Sequence, residues 1–324
     1  MTYLSQFIRD RQHAYPGATG AFSDLLHTIS VATKHISKEI RSLGLGEKQG
    51  LTGVTNPSGD EVKGLDEYAN QTIIGHLQRS GLVRLIATEE EDQAIQCPKG
   101  PYAVLVDPLD GSNNIDYYGS VGSIFSIYRS ETGTLDDILV PGREQVASLY
   151  VLYGSSTVLV YTAQGETVHE FTLAPDIGEF LLSKEGIAIP SCKEYCVNEG
   201  NYHYWKEGQR RLIDSLKSDP KGPFALRYFA CLVADFHRIL TKGGLFMYPE
   251  DNKKGAWSAK LRYLFEAAPL ALIAEQAGGG ASTGMMRILD HAPSALHERV
   301  PLYLGSKNLI GSAEGFLQEK KEEE

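Results

Sequence analysis

Cysteine is scarce: Cys97, Cys192, Cys196 and Cys231 are the only four in 324 residues. Four thiols cannot staple a chain of this size, which excludes a disulfide scaffold, fits a reducing compartment and leads us to expect a cytoplasmic protein. The Cys192/Cys196 pair lacks a second pair or neighbouring histidines, so it reads as structural thiols rather than a zinc or redox centre. Basic charge is also in short supply, with 31 Lys and Arg against 41 Asp and Glu and a net charge of −10. That balance argues against a nucleic-acid backbone or an anionic membrane as the main partner, while leaving room for a local basic pocket that takes a small anion. No apolar run is long enough to cross a bilayer. Met1 to Phe7 has no basic region leading into an apolar core, so no secretory signal is expected. Internal repeats, low-complexity tracts and an EF-hand ligand pattern are missing too.

What is present is a regular alternation of apolar segments and glycine-rich punctuation. Leu25, Ile29, Ala32, Ile36, Ile40 and Leu43 recur at helical spacing and predict a helix over Ser23 to Leu43, with Gly44 as its stop. Gly44 to Gly64 is glycine-rich, contains Pro57 and has no sustained period, so it reads as a loop. A second helix is expected over Leu65 to Arg79. From Val83 to Leu182 the pattern turns strand-rich, with strands at Ser123 to Arg129, Val146 to Tyr153, Val158 to Thr162 and Thr167 to Thr172, and a hairpin at Gln164-Gly165. The later half predicts helices over Lys206 to Lys217, Leu226 to Leu240 and Lys260 to Ala277, the last kinked or split by Pro269. Short strands are expected near Leu245 to Tyr248 and Pro301 to Leu304, and Gln318 to Glu324 reads as a solvated helix end. Helices with mostly antiparallel strands in two blocks imply an α+β layered architecture, with domains 1–184 and 185–324 meeting near Ser183 to Pro190.

The chemistry concentrates where two apolar strands run into acid. Leu82 to Ala87 leads into Thr88-Glu89-Glu90-Glu91-Asp92, and Tyr102 to Val106 leads into Asp107-Pro108-Leu109-Asp110-Gly111-Ser112-Asn113. Either acidic stretch alone suits a solvated face or a strand-terminating turn, since Pro108 cannot donate to a ladder and should end the pairing. Together they can bring Glu89, Glu90, Asp107 and Asp110 to one sheet edge. Oxygen-only donors suit a hard cation, Mg²⁺ or Mn²⁺, with the Leu109 carbonyl as a further ligand. The Asp110-Gly111-Ser112 turn could present backbone amides to a phosphate.

Other candidates are less specific. Asp60 and Asp66 adjoin glycine-containing sequence and suit turn or cap acids as well as site residues. Arg227, Lys260 and Arg262, with Asn198, Tyr228 and Tyr248, could hold a phosphate and sugar hydroxyls, although each also suits an ordinary surface position. Glu266 stands among Leu264, Phe265, Ala267 and Ala268, either on a polar stripe or buried against a partner or a metal. His237 reads as a satisfied helix histidine, and Gly278-Gly279-Gly280 as a helix C-cap rather than a dinucleotide loop.

Several of these segments, in this order and spacing, occur in a known family. Thr88 to Asp92, Asp107 to Asp116, Tyr153-Gly154-Ser155-Ser156-Thr157, Val197 to Tyr202, Val233 to Arg238, Gly243 to Pro249 and Lys260 to Glu266 make the chain resemble class I fructose-1,6-bisphosphatase along nearly its full length. The resemblance implies a two-domain αβαβα sandwich, Mg²⁺ dependence, a homotetramer, and hydrolysis of the 1-phosphate of fructose 1,6-bisphosphate to fructose 6-phosphate. It implies that Glu89, Glu90, Asp107, Asp110, Glu266 and the Leu109 carbonyl hold metals, and that Asp110, Gly111, Ser112 and Asn113 receive the scissile phosphate. Asp60, Asp66 and Glu90 would orient and deprotonate water. Asn198, Tyr228, Tyr248 and Lys260 would bind the sugar and its 6-phosphate, with Arg227 reaching in from a neighbouring subunit. Asn113 replaces a common serine. The AMP pocket of the family is matched at Thr19, Gly20, Tyr102 and Arg129, but Ala21 and Pro101 replace an acid and a lysine. A cysteine-bearing insertion near Pro141-Gly142, which serves thioredoxin control in the chloroplast form, is missing. The same metal centre would also serve a sedoheptulose-bisphosphate or inositol-phosphate phosphatase. A catalytically silent nucleotide-binding protein is the reading from a different class.

Overall fold

The computed structural model describes residues 1–12, 19–42, 51–55 and 61–319; for 51–55 and 61–63 only the strand pairing is described. Asp60 and Pro57 lie outside the described residues, as do residues 320–324 of the expected C-terminal helix end. In chain order the elements are α1 (Leu4–Gln12), α2 (Ala21–Arg41), β1 (Leu51–Thr55), β2 (Glu61–Lys63), α3 (Gly64–Ser80), β3 (Val83–Thr88), β4 (Ile95–Gln96) and β5 (Tyr102–Asp110). Then follow β6 (Val121–Arg129), β7 (Ala147–Tyr153), β8 (Thr157–Ala163), β9 (Val168–Ala174), β10 (Glu179–Ile187), β11 (Glu194–Cys196), α4 (Glu207–Lys217) and β12 (Ala225–Leu226). The remainder is α5 (Leu232–Lys242), β13 (Leu245–Tyr248), α6 (Ala268–Gln276), β14 (Gly280–Ser282), β15 (Leu302–Gly305) and α7 (Lys307–Gln318).

Alternation of side chains across the strands builds five layers. The 8-stranded sheet runs β10-β9-β8-β7-β6-β5-β3-β4, and the 5-stranded sheet runs β12-β11-β13-β15-β14. On β5, Val104 and Val106 point to the side covered by α1, α2 and α3, where Leu25, Ile29, Leu65, Ile73 and Leu77 pack. Ala103 and Leu105 point the other way, into a core shared with α5, α6 and Phe246 of the smaller sheet. Leu245 and Met247 face outward from that sheet against Leu212, Ile213, Leu309 and Ile310 of α4 and α7. The expected αβαβα layering is therefore what the chain adopts.

Four local expectations need correction. Pairing does not stop at Pro108: β5 continues to Asp110, with Asp107 opposite Ile124 and Asp110 opposite Gly122, so one extra residue is absorbed in a bulge. A bulge removes the need for the ladder N–H that proline lacks, and it re-aims the neighbouring carboxylates. The Gly44 to Gly64 stretch includes a paired segment, β1 with β2, where β-branched Thr52, Val54, Thr55 and Val62 favour extended chain. The helix expected from Leu226 begins only at Leu232, because 225–226 pair with β11 and Ala230 takes φ 57°. The helix expected from Lys260 opens as a π turn over Tyr263–Ala267, and α6 follows with Pro269 in its first turn, where a missing N–H costs nothing.

Candidate active site

β3 and β5 are parallel neighbours, with Thr88 opposite Val106, so both deliver their following residues at the same end of the sheet. The Glu89 N–H donates to Val106 O at 3.0 Å, which keeps the acidic turn against β5. There Asp66 from the first turn of α3, Glu89, Glu90, Asp107, Asp110 and Glu266 from the π turn line one cavity of about 420 Å³. Leu109, Gly111, Ser112, Asn113, Asn198, Tyr228, Tyr248 and Lys260 line the same space. All the residues expected from sequence to act in the site thus converge, apart from Asp60 and Arg227. Arg227 is exposed outside the cavity, its Nε 4.0 Å from Glu194.

The electrostatics are severe. Asp66, Glu89, Asp107 and Glu266 are all at most 8% exposed. Burial, reinforced by the charges of Glu89, Asp110 and Glu266, pushes the Asp107 carboxyl well above its usual range, and the nearby Arg262 only partly opposes this. Burial likewise pushes Glu266 up to about 8, against the pull of Arg262. Arg262, expected from sequence to hold a phosphate, has its guanidinium buried instead, 2.6 Å from Glu89 and 3.7 Å from Glu266. Its backbone N–H also donates to Glu266 Oε2 at 2.5 Å. Ionising these acids together, against the one buried cation among the described cavity residues, would leave a surplus of negative charge that a further cation would offset.

Asp107, Asp110 and Glu266 each offer an oxygen, and these atoms lie within 4.8 Å of one another. An all-carboxylate donor set of this spacing fits a hard divalent ion. Two features position it that the sequence reading missed. The Asp107 Oδ1 accepts from the Leu109 N–H at 3.1 Å, while Ser123 donates to Pro108 O at 2.7 Å, so the bulge is pinned from inside. Asp110 is held from the N-terminus of α5, in the helix layer between the sheets: the Val233 N–H donates to its Oδ2 at 2.7 Å and the Cys231 thiol at 3.1 Å. These bonds from the N-terminus of α5 pull the Asp110 carboxyl down, but burial outweighs them and the net shift is upward.

Close approach at this junction requires glycine. Gly111 has φ 77°, and a Cβ there would meet Cys231 Cβ at 2.8 Å. Beyond it, Ser112–Tyr117 forms a 3-10 turn whose first two residues, Ser112 and Asn113, line the cavity. Asp235, also in the lining, accepts the Phe229 N–H at 2.8 Å, and burial lifts its carboxyl to about 7. It lies inside the Val233 to Arg238 motif, where nothing in the sequence pattern marks it for a role. His237 is a satisfied helix residue as expected, with Nδ1 2.9 Å from the Tyr150 hydroxyl. The four cysteines are free thiols.

A five-layer α+β sandwich with an acid-lined cavity at paired strand ends, walled by the Gly111 to Asn113 turn, defines a hydrolase of the sugar-phosphatase type. Family models described as the N-terminal and C-terminal domains of fructose-1-6-bisphosphatase match residues 2–185 and 189–318. The chain is 45% identical to the class 1 fructose-1,6-bisphosphatase of Maridesulfovibrio salexigens, with 96% of each chain covered, and 47% identical to that of Chlorobium luteolum, with 97% of each covered. The crystal structure of Leishmania major fructose-1,6-bisphosphatase in holo form superposes with a TM-score of 0.92 at 37% identity, covering 98% of this chain and 99% of that one. Its T-state structure gives 0.87. The chain belongs to the fructose-1,6-bisphosphatase family, and it is a phosphoric monoester hydrolase.

Proposed function

We propose that the protein hydrolyses the 1-phosphate of fructose 1,6-bisphosphate, in the gluconeogenic direction, in the cytoplasm, as a homotetramer. The observation that carries the reading is one cavity presenting both a buried multi-carboxylate cluster and a polar wall of Asn198, Tyr228, Tyr248 and Lys260. Division of labour follows the chain: 1–184 supplies most of the acids, and 185–324 supplies the sugar-phosphate side. Glu89, Glu90, Asp107, Asp110, Glu266 and the Leu109 carbonyl would hold Mg²⁺, with Mn²⁺ able to replace it. When bound, such ions neutralise the phosphate oxygens and lower the pKa of water.

The side chains account for the remaining steps. Backbone amides of Gly111, Ser112 and Asn113 and the Ser112 hydroxyl cradle the 1-phosphate, fixing phosphorus against the acids. Asp66 orients a water and Glu90 takes its proton as the oxygen attacks phosphorus. The sugar O1 departs with the electron pair of the bridging bond and takes a proton from solvent, Glu90 returns its own to solvent, and fructose 6-phosphate and inorganic phosphate result. Lys260 pairs with the 6-phosphate, while Tyr248 and Asn198 fix the sugar. Asp60 shares the water-orienting role, and Arg227, directed away from this cavity, would serve the site of a neighbouring subunit.

Phosphate release from fructose 1,6-bisphosphate with Mg²⁺, abolished by chelator, is the test; release from none of a panel including sedoheptulose bisphosphate and inositol monophosphate would sink the reading. A second cavity of about 550 Å³ is lined by Thr19, Gly20, Tyr102 and Arg129, the Arg129 guanidinium lying 4.8 Å from the Tyr102 ring centre. AMP is the ligand proposed there. Calorimetry beside the turnover assay tests it, and AMP binding without any turnover would favour the silent sensor instead.

A further inference from the structure

Glu91 follows two acids of the cavity but does not line the cavity itself. Its side chain is turned to α3: the Asn70 Nδ2 donates to Glu91 Oε1 at 2.9 Å. Asn70 is only 4% exposed and stands one helical turn beyond Asp66, on the same face of α3. The backbone of Glu91 is held from a third direction, since the His297 ring is 3.0 Å from the Glu91 carbonyl through Nε2. A carbonyl only accepts, so Nε2 carries a proton. The His297 ring packs on Phe265 with centroids 5.4 Å apart, and Phe265 immediately precedes Glu266 in the π turn. Within the acidic turn itself, the Glu91 N–H reaches Thr88 O at 3.4 Å.

Glu91 is therefore the joint at which the three carriers of the acids meet: α3 with Asp66, the turn with Glu89 and Glu90, and the π turn with Glu266. Once ionised, those acids repel one another in a poorly screened interior, and repulsion acts to splay the segments apart. Catalytic groups must stay within about half an ångström of their working positions, which requires support from behind. We propose that Asn70, Glu91 and His297 form a brace of positioning residues that holds Asp66, Glu90 and Glu266 in register for the reaction.

The proposal rests on the hydrolase reading above and is separable from it. Glu91 is needed as a hydrogen-bond acceptor, not as a charge or a metal ligand. Glu91→Gln keeps an acceptor for Asn70, whereas Glu91→Met keeps the length and removes it. In the full chain at saturating Mg²⁺, Glu91→Met and Asn70→Ala are expected to lower kcat about tenfold to a hundredfold with KM held within about twofold. Glu91→Gln should stay within about threefold of wild type, a rescue that follows from restoring one charge-neutral acceptor. Mn²⁺ binding to the substrate-free protein, read by electron paramagnetic resonance, should weaken in Glu91→Met and recover in Glu91→Gln. If Glu91→Met does not fold, His297→Gln and His297→Leu read the same brace from its other end, the first near wild type and the second impaired. Unchanged kcat and Mn²⁺ binding in the impaired set, or a Glu91→Gln as damaged as Glu91→Met, overturns the brace. A wild type inactive on the whole substrate panel sinks the hydrolase reading instead, and the Mn²⁺ series still decides the brace.

Discussion

Filling the acidic cavity with Mg²⁺ should expel protons in a number that the structure sets. Metal ligation needs ionised carboxylates, but burial holds Glu266 protonated up to about pH 8 and Asp107 well above its usual range. A group with a pKa of about 8 is roughly 0.9 protonated at pH 7 and roughly 0.1 at pH 9. Binding at pH 7 should then release most of a proton per site from Glu266, with Asp107 adding to it, and binding at pH 9 markedly fewer. Titration calorimetry in buffers of different ionisation heat reads the number directly, as the slope of observed heat against buffer heat. Glu266→Gln should remove most of the release at pH 7. A slope near zero at pH 7, or one unchanged between pH 7 and 9, would refute the electrostatic account. Stability follows the same linkage. The folded carboxyl of Glu266 lies above its ordinary 4.5, so the metal-free fold binds more protons than the unfolded chain between about 4.5 and about 8. Its contribution is most favourable below that window and is lost as pH rises through it, and Mg²⁺ should flatten the loss.

Three further outcomes are expected. Arg262→Met removes the guanidinium 2.6 Å from Glu89 and should cost the metal-free protein about 3–5 kcal/mol, with Mg²⁺ restoring part of it; equal losses with and without metal in urea unfolding would contradict this. Gly111→Ala forces a side chain into φ 77° and against Cys231, costing about 1–3 kcal/mol and most turnover, so an unshifted unfolding midpoint would count against the tight junction. Asp137 has its carboxyl lowered to about 2, because hydrogen bonds from Ser130, Gly133 and Thr132 outweigh the opposing effect of burial. Its stabilisation is present above the ordinary carboxylate value and is lost as pH falls through about 2, so Asp137→Asn should cost on the order of 1 kcal/mol at pH 7 and little near pH 2, by thermal unfolding across pH.

Strand ends were legible in the sequence because an apolar run followed by acid has one geometric meaning when two such strands lie parallel. Glu89, Glu90, Asp107 and Asp110 could therefore be assembled without coordinates. The partners of those acids were not legible. Whether Arg262 faces phosphate or a buried carboxylate depends on the π turn, whose extra residue per turn leaves no periodic trace in Lys260 to Ala277. The late start of α5 was hidden for a related reason: Leu226 to Ala230 is apolar enough for a helix, but 225–226 are claimed by β11. Glu91 looked like one more member of a charge run. Only Asn70 and His297, 21 residues upstream and 206 downstream, show which way it turns.

The acids of the cavity run from Asp66 to Glu266, and Asp110 at the end of β5 is gripped by Val233 of α5. No fragment that ends before Glu266 holds the whole cavity, so an emerging chain should stay silent until its last third has docked. Return of turnover during refolding thus times the closing of one sheet onto the other, and far-ultraviolet signals, which follow helices and strands wherever they form, should recover ahead of it.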